Sequence, residues 1–311
     1  MNIMNNIGIS FSGDYIRQGS NTDKIKLSKD LNTNFLEIKL KTDNINFNDF
    51  SINNNIIYNL PTLNNNLTNL HLVKNIILNL KKYGAKTFTI DASSLLLEIY
   101  EFSTLEEQQN YLNNIASGFS DLITNDIVLL IENTKTYKGE EYLGNSVKDL
   151  KDILTYTKEL LNNHYNYSFE KIDSSIGISL NLNRINKEDY NNFINVFKGD
   201  IKLIKIPNNF EKIDDYKNIF DLITNNNLNV PILFQTQSDI EDVVNEYRKI
   251  VFLLNKNINN ETLDLNDFKN IKVTNDLKIS PSQSGFTNFI VISMIILTII
   301  IAVMMFKLKL S

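Results

Sequence analysis

Short runs of β-branched or apolar residues alternate along most of the chain with longer segments that carry apolar residues at helical spacing, the signature of repeated strand–helix units and a parallel sheet. The strand candidates are Ile7 to Phe11, Phe35 to Leu40, Ile56 to Asn59, Thr87 to Asp91, Ile127 to Glu132, Ile176 to Leu180, Ile201 to Ile206 and Pro231 to Gln235. Between them, LTNLHLVKNIILNLKKYG, TLEEQQNYLNNIASGFSDLI, SVKDLKDILTYTKELLNN, KEDYNNFINVF and DDYKNIFDLITNNN read as amphipathic helices. No glycine-rich dinucleotide fingerprint follows the first strand, so this series predicts a closed (β/α)8 TIM barrel rather than an open doubly wound sheet. Helix boundaries agree: Gly84 follows Lys81 and Lys82 as a C-terminal stop, and Asp239, Glu241 and Asp242 set carboxylates at the positive end of a last helix.

The pattern changes at the C-terminus. From Phe289 to Phe306 the sequence runs FIVISMIILTIIIAVMMF with no charged residue. At 1.5 Å rise per residue this covers about 27 Å, one hydrocarbon core. The chain therefore divides into a barrel over 1–275, a polar linker over 276–288, a transmembrane helix over 289–306 and a short basic tail over 307–311. No basic region followed by an apolar one marks a signal peptide at the N-terminus. The expectation is a tail-anchored, single-pass protein inserted after synthesis, its soluble domain on the cytosolic side or facing a virion membrane. Lys307 and Lys309 after the span, against Lys272 and Lys278 before it, give no firm orientation.

Composition narrows the chemistry. Formal net charge is -5 with a sequence pI of about 5.2, so no global positive field attracts nucleic acid. Cysteine is absent, which removes disulfides, thiolate nucleophiles and Cys-based zinc sites. Of the two histidines, His71 lies in a helical pattern beside Leu70, Leu72 and Val73, and His164 follows two asparagines at a helix end; neither reads as a metal ligand. Asparagine is roughly one residue in six, above ordinary usage, and reads as the mark of an AT-rich genome rather than a prion-like tract.

In such a barrel the chemistry sits at the C-terminal strand ends. Those ends carry Ser10, Asn59, Asp91, Glu132, Asn181, Lys205 and Gln235, with Arg184 in a following loop. Glu132, closing the apolar run IVLLIE, is the most conspicuous and is expected to face the barrel mouth. The segment LLIENTKTYKGEEYLGNSVKDLKDIL resembles the I-E-N-T-x-G-x-G-x-x-x-G signature of the endonuclease IV family of apurinic-site endonucleases, barrels of the xylose-isomerase-like type. IIYNLPTLNNNLTN, TFTIDASSLL, IGISLNLNRIN, KLIKIPNN and PILFQTQ are similar, in the same order, to that family's other strand ends, so the resemblance covers about Ile7 to Gln237.

That family binds three zinc ions, and the departures from its pattern decide the functional expectation. Carried over position by position, its first two strand-end histidines become Asn59 and Asp91, while its bridging glutamate is kept as Glu132. Its next aspartate becomes Asn181, the histidine three residues on becomes Arg184, the histidine of the following strand becomes Lys205, and the last glutamate becomes Gln235. The Asp-x-His pair after Lys205 has no counterpart in PNNFEKIDD. Neutral amides are poor zinc donors and fixed cations repel the ion. The resemblance thus implies a remnant pocket with no metal, no cofactor and no catalytic residue, in which Lys205 and Arg184 neutralise Asp91 and Glu132; simple drift at a water-filled mouth is the competing account. The expected function is a membrane-held structural or interaction protein with a membrane and an unidentified protein as partners. An AT-rich barrel with a tail anchor suits a large DNA virus, a low-GC bacterium being the alternative. The rival function is a divergent hydrolase or sugar isomerase using Glu132 with Asp91 or Lys205, the lysine as a Schiff-base nucleophile.

Overall fold

The computed structural model describes residues 6–11, 20–40, 55–123, 127–207 and 213–236, together with Val243, Tyr247, Arg248, Ile250 and Val251. Eight parallel strands close into a barrel in chain order: β1 (Ile7–Phe11), β2 (Phe35–Lys39), β3 (Ile56–Asn59), β4 (Thr87–Asp91), β5 (Val128–Glu132), β6 (Ile176–Asn181), β7 (Ile201–Pro207) and β8 (Ile232–Gln235). Pairing of β1 with β8, Ile7 opposite Ile232 through Ser10 opposite Gln235, completes the ring. Each strand lies within one residue of its sequence expectation, because runs such as IGISF and VLLIE are buried along nearly their whole length, as strands covered on both faces must be.

The helices surround the barrel: α1 (Asn21–Asp30), α2 (Leu70–Lys81), α3 (Leu97–Glu101), α4 (Leu105–Leu122), α5 (Val147–Asn163), α6 (Phe169–Ser175), α7 (Tyr190–Phe197) and α8 (Ile213–Asn225). The helical pattern predicts α2, α4, α5, α7 and α8 but not α1, α3 or α6. Capping settles part of that difference. The α1 segment has only Ile25 and Leu27 as large apolar residues, yet Ser20 and Asp23 form a reciprocal capping box that satisfies its first donors. Gly84 takes φ +84° just beyond α2, the left-handed stop its position predicts. Val73, Ile76, Ile77 and Leu80 of α2 and Ile115, Ala116 and Phe119 of α4 are buried and fill the layer between helices and barrel.

The barrel interior is stratified. Near its N-terminal end Ile57, Leu130, Leu203 and Leu233 form an apolar plug, with Phe35 and Val128 packed against it. Gly8 leaves room there, since a Cβ on it would lie 2.2 Å from the Phe35 carbonyl oxygen and 2.7 Å from Leu233. The proposed opening of the last helix at residues 239–242, the linker, the Phe289 to Phe306 span and the basic tail lie outside the described residues. Among the described residues no helix is long and apolar enough to cross a membrane.

Candidate functional site

Successive inward-facing residues on a strand are two apart, and that period builds the site. One step above the plug on the same strands, Ile57 gives way to Asn59, Leu130 to Glu132, Leu203 to Lys205 and Leu233 to Gln235. The other strands add Ser10, Glu37, Thr89, Ser179 and Asn181 at paired registers, so the upper barrel is polar around its circumference.

Lys205 lies at the centre. Its Nζ is 2.6 Å from Glu37 Oε1 and also contacts Glu132 Oε2, and all three side chains are fully buried. Each carboxylate is further satisfied. Glu37 accepts from Ser10 Oγ and, at 2.6 Å, from Thr89 Oγ1, which in turn accepts from Asn59 Nδ2 at 3.0 Å. Glu132 accepts from Asn181 Nδ2 at 2.8 Å and Ser179 Oγ at 3.3 Å, and Arg184 Nη2 lies 3.2 Å from its Oε1. Above this level Arg184 Nη1 donates to Asp91 Oδ1 at 2.6 Å and to the Asn133 carbonyl at 2.7 Å. Gln235 Oε1 accepts from Asn181 at 3.2 Å and Asn183 at 2.7 Å. Among the described residues the one buried side-chain polar atom without a partner is Ser120 Oγ, on α4 and not in this network.

The electrostatics follow from the pairing. Burial alone would lower the Lys205 pKa, but Glu132 and Glu37 outweigh it and hold the ammonium above its ordinary value. Burial likewise opposes the Arg184 charge, and Asp91 and Glu132 overcome it, raising its pKa. For Asp91, burial pushes upward while Arg184, Lys205 and Lys39 pull harder, and its pKa is lowered. Counting Lys39, three cations face the three carboxylates Glu37, Asp91 and Glu132.

All seven residues of the expected pocket, Asn59, Asp91, Glu132, Asn181, Arg184, Lys205 and Gln235, come together here. Glu132 departs from expectation in one respect: it is sealed beneath the mouth instead of facing it. Lys205 and Glu132 are likewise fully buried, not set in the water-filled mouth that the drift account assumes. Two members of this network, Asp91 and Arg184, line cavities. Asp91, its side chain 28% exposed, lines one of about 400 Å³ with Thr62, Thr134 and Tyr142; Arg184 lines another of about 530 Å³ near the start of α5. His71 is exposed on α2 beside Asn75, and His164 is exposed at the α5 C-cap.

Thr89, Ser179 and Lys39 escaped the sequence reading, as did three further participants. Glu37 sits in the middle of β2, not at its end, and its signal was a lone acid inside the apolar run FLEIKL. Asn133 clamps β6, accepting from Asn181 N at 2.7 Å and donating to Asn181 O at 3.1 Å. Asn183 holds Gln235, and only the turn after β6 brings it there.

The donor set does not fit the metals that the endonuclease IV resemblance implies. Among the described residues no group of three or more His, Asp or Glu is placed to hold an ion, because cations and amides separate the carboxylates. No family model matches the chain. No curated protein matches it either. Among solved structures it is similar to the D-allulose 3-epimerase of Methylomonas sp. In the form with additional C-terminal residues the identity is 13% and the TM-score 0.52, over 82% of this chain and 97% of that one. In the complex with D-allulose the values are 13% and 0.52, over 83% and 97%. This likeness shows the fold alone, a closed eight-stranded parallel barrel with surrounding helices.

Proposed function

We propose that the chain is a non-catalytic relative of the endonuclease IV-like barrels, held on a membrane by its C-terminal apolar segment and acting as a structural or interaction protein. The observation that carries this reading is the Lys205 ammonium, fully buried between Glu37 and Glu132 where the resemblance places metal ligands. A fixed cation there repels a divalent ion and already uses the carboxylate oxygens that would bind it. The membrane part of the reading is supported by the uncharged Phe289 to Phe306 run.

The rival enzymatic reading meets two obstacles in the same geometry. A substrate reaching the cavity over Asp91 contacts neither Glu132 nor Lys205, both fully buried. Lys205, with its pKa raised, stays protonated and lacks the lone pair that a Schiff-base nucleophile needs.

The test is metal analysis of the purified full-length chain. The expected outcome is no stoichiometric zinc or manganese and a melting temperature unchanged by chelator, because metal held by the native state adds stability by mass action. Stoichiometric metal lost to chelator together with thermal stability overturns the proposal.

A further inference from the structure

We infer that the corner between α3 and α4 is a docking surface for a protein partner that presents a shallow apolar pocket ringed by lysine or arginine. The inference rests on the interaction-protein reading above and names the surface and the chemistry of its partner.

Ile99, Phe102 and Leu105 crowd this corner, 47%, 85% and 85% exposed. Ile99 and Phe102 are three residues apart on α3 and its C-cap, which puts them on one helix face. Leu105 opens α4 immediately after the turn. Single exposed apolar residues are ordinary on protein surfaces, but three large ones within seven positions, two of them almost wholly in water, are not covered by packing among the described residues.

The corner is also rigid. Thr104 and Glu107 form a reciprocal capping box at the start of α4. Gln108 Nε2 donates to the Tyr100 carbonyl at 2.9 Å and the Ser103 carbonyl at 3.3 Å, Ser103 Oγ donates to the Ile99 carbonyl at 2.6 Å, and Tyr100 is buried beneath. The apolar side chains are therefore presented on a backbone already ordered, which removes much of the entropic cost of binding.

Charge selects the partner. Between Lys86 and Lys135 the sequence has no lysine, arginine or histidine. Glu98, Glu101 and Glu106 are exposed and flank the apolar tip on both helices, so carboxylates border it. A complementary surface has an apolar centre and a basic rim, and such complementarity steers encounter and fixes the partner. An anionic bilayer is repelled by these carboxylates, and a second copy meeting them face to face sets glutamate against glutamate.

The experiment uses the full-length chain in phosphatidylcholine nanodiscs and three synthetic amphipathic helices of equal length, leucine paired with lysine, glutamine or glutamate. Binding is read by fluorescence anisotropy at low and high salt. The Leu/Lys helix is expected to bind at least tenfold more tightly than the Leu/Gln helix, with the advantage lost at high salt, and the Leu/Glu helix not to bind. Phe102→Ser with Leu105→Ser, both exposed, is expected to keep the wild-type melting curve and weaken Leu/Lys binding at least tenfold, while Phe169→Ser, at an exposed phenylalanine on α6, leaves it unchanged. Equal Leu/Lys binding by wild type and the double variant overturns the inference. So does a double variant that loses only binding to anionic vesicles, which assigns the corner to lipid, or only self-association, which assigns it to a second copy. Metal analysis of the same preparation separates the two readings: stoichiometric metal sinks the non-catalytic proposal whatever the peptides do, and metal-free protein with equal peptide binding sinks only the docking surface.

Discussion

Two layers of one barrel, built on the same strands and facing the same interior, solve the problem of burial in opposite ways. The plug of Ile57, Leu130, Leu203 and Leu233 is stabilised by non-directional removal of apolar surface from water and by close packing. Two residues further along those strands, Asn59, Glu132, Lys205 and Gln235 belong to a layer whose ions each cost several kcal/mol to desolvate. Pairing and hydrogen bonding offset that cost only when they are complete, and here they are: Glu37 and Glu132 each have partners on both oxygens. The plug degrades gradually when one of its members shrinks. The ionic layer fails as a unit when one charge is removed. In catalytic barrels this upper level is the working end; in this chain it is a buried ionic layer centred on Lys205, Glu37 and Glu132.

The largest effect that sharpens this contrast is expected from Lys205→Met. It leaves two buried carboxylates without their shared cation, and chemical denaturation should show a loss of about 3–5 kcal/mol. A loss under about 1 kcal/mol would mean that water reaches the layer and that the two cores do not differ in kind. On the same strand, one step down, Leu203→Ala is expected to cost about 2–4 kcal/mol, the transfer term plus the residual cavity. If it proves costlier than Lys205→Met, the ionic layer is not the more demanding one.

Smaller still is the expected net change in the triple variant Lys205→Met, Glu37→Gln, Glu132→Gln. With the charges removed together, stability should return to within about 1–2 kcal/mol of wild type, since neutral replacement of a buried ionic cluster is often close to neutral in free energy. Losses that simply add across the three positions would show that these side chains do not act on one another. The mildest prediction concerns pH. The lowered Asp91 pKa means that the unfolded chain binds this proton more readily than the folded one, so the contribution is present above about pH 4, the ordinary carboxylate range, and fades as pH falls through the lower folded value. Asp91→Asn should flatten the stability profile on the acid side of pH 4 and leave its slope near neutrality unaltered; an unchanged acid limb would show that Arg184 does not hold the Asp91 charge.

Much of this architecture was legible in the chain because the signals are local. Alternation of runs such as IGISF and VLLIE with helical segments is a one-dimensional pattern, and it located eight strands to within a residue. The strand-end residues followed from the rule that parallel barrels gather them at one rim, and the wrong charge type at Lys205 and Arg184 raised the prospect of neutralised acids. Glu37 was missed because that rule looks only at strand ends, while closure of β1 on β8 brings mid-strand residues into the same ring. The depth of Glu132 was missed because exposure depends on what the rest of the chain places against it, here Arg184 from the turn after β6.

The sequence by itself determined the periodicity, and with it the strands, the principal helices and the strand-end residues delivered to the upper barrel, since each of these depends on neighbours a few positions apart. Tertiary structure alone decided which acid meets which base. Lys205 takes Glu37 and Glu132 from separations of 168 and 73 positions, counted from the residue numbers, and Arg184 takes Asp91 from 93. Pairing of buried charges is set by distance across a closed ring and by the exclusion of water from it, and no local pattern encodes either quantity.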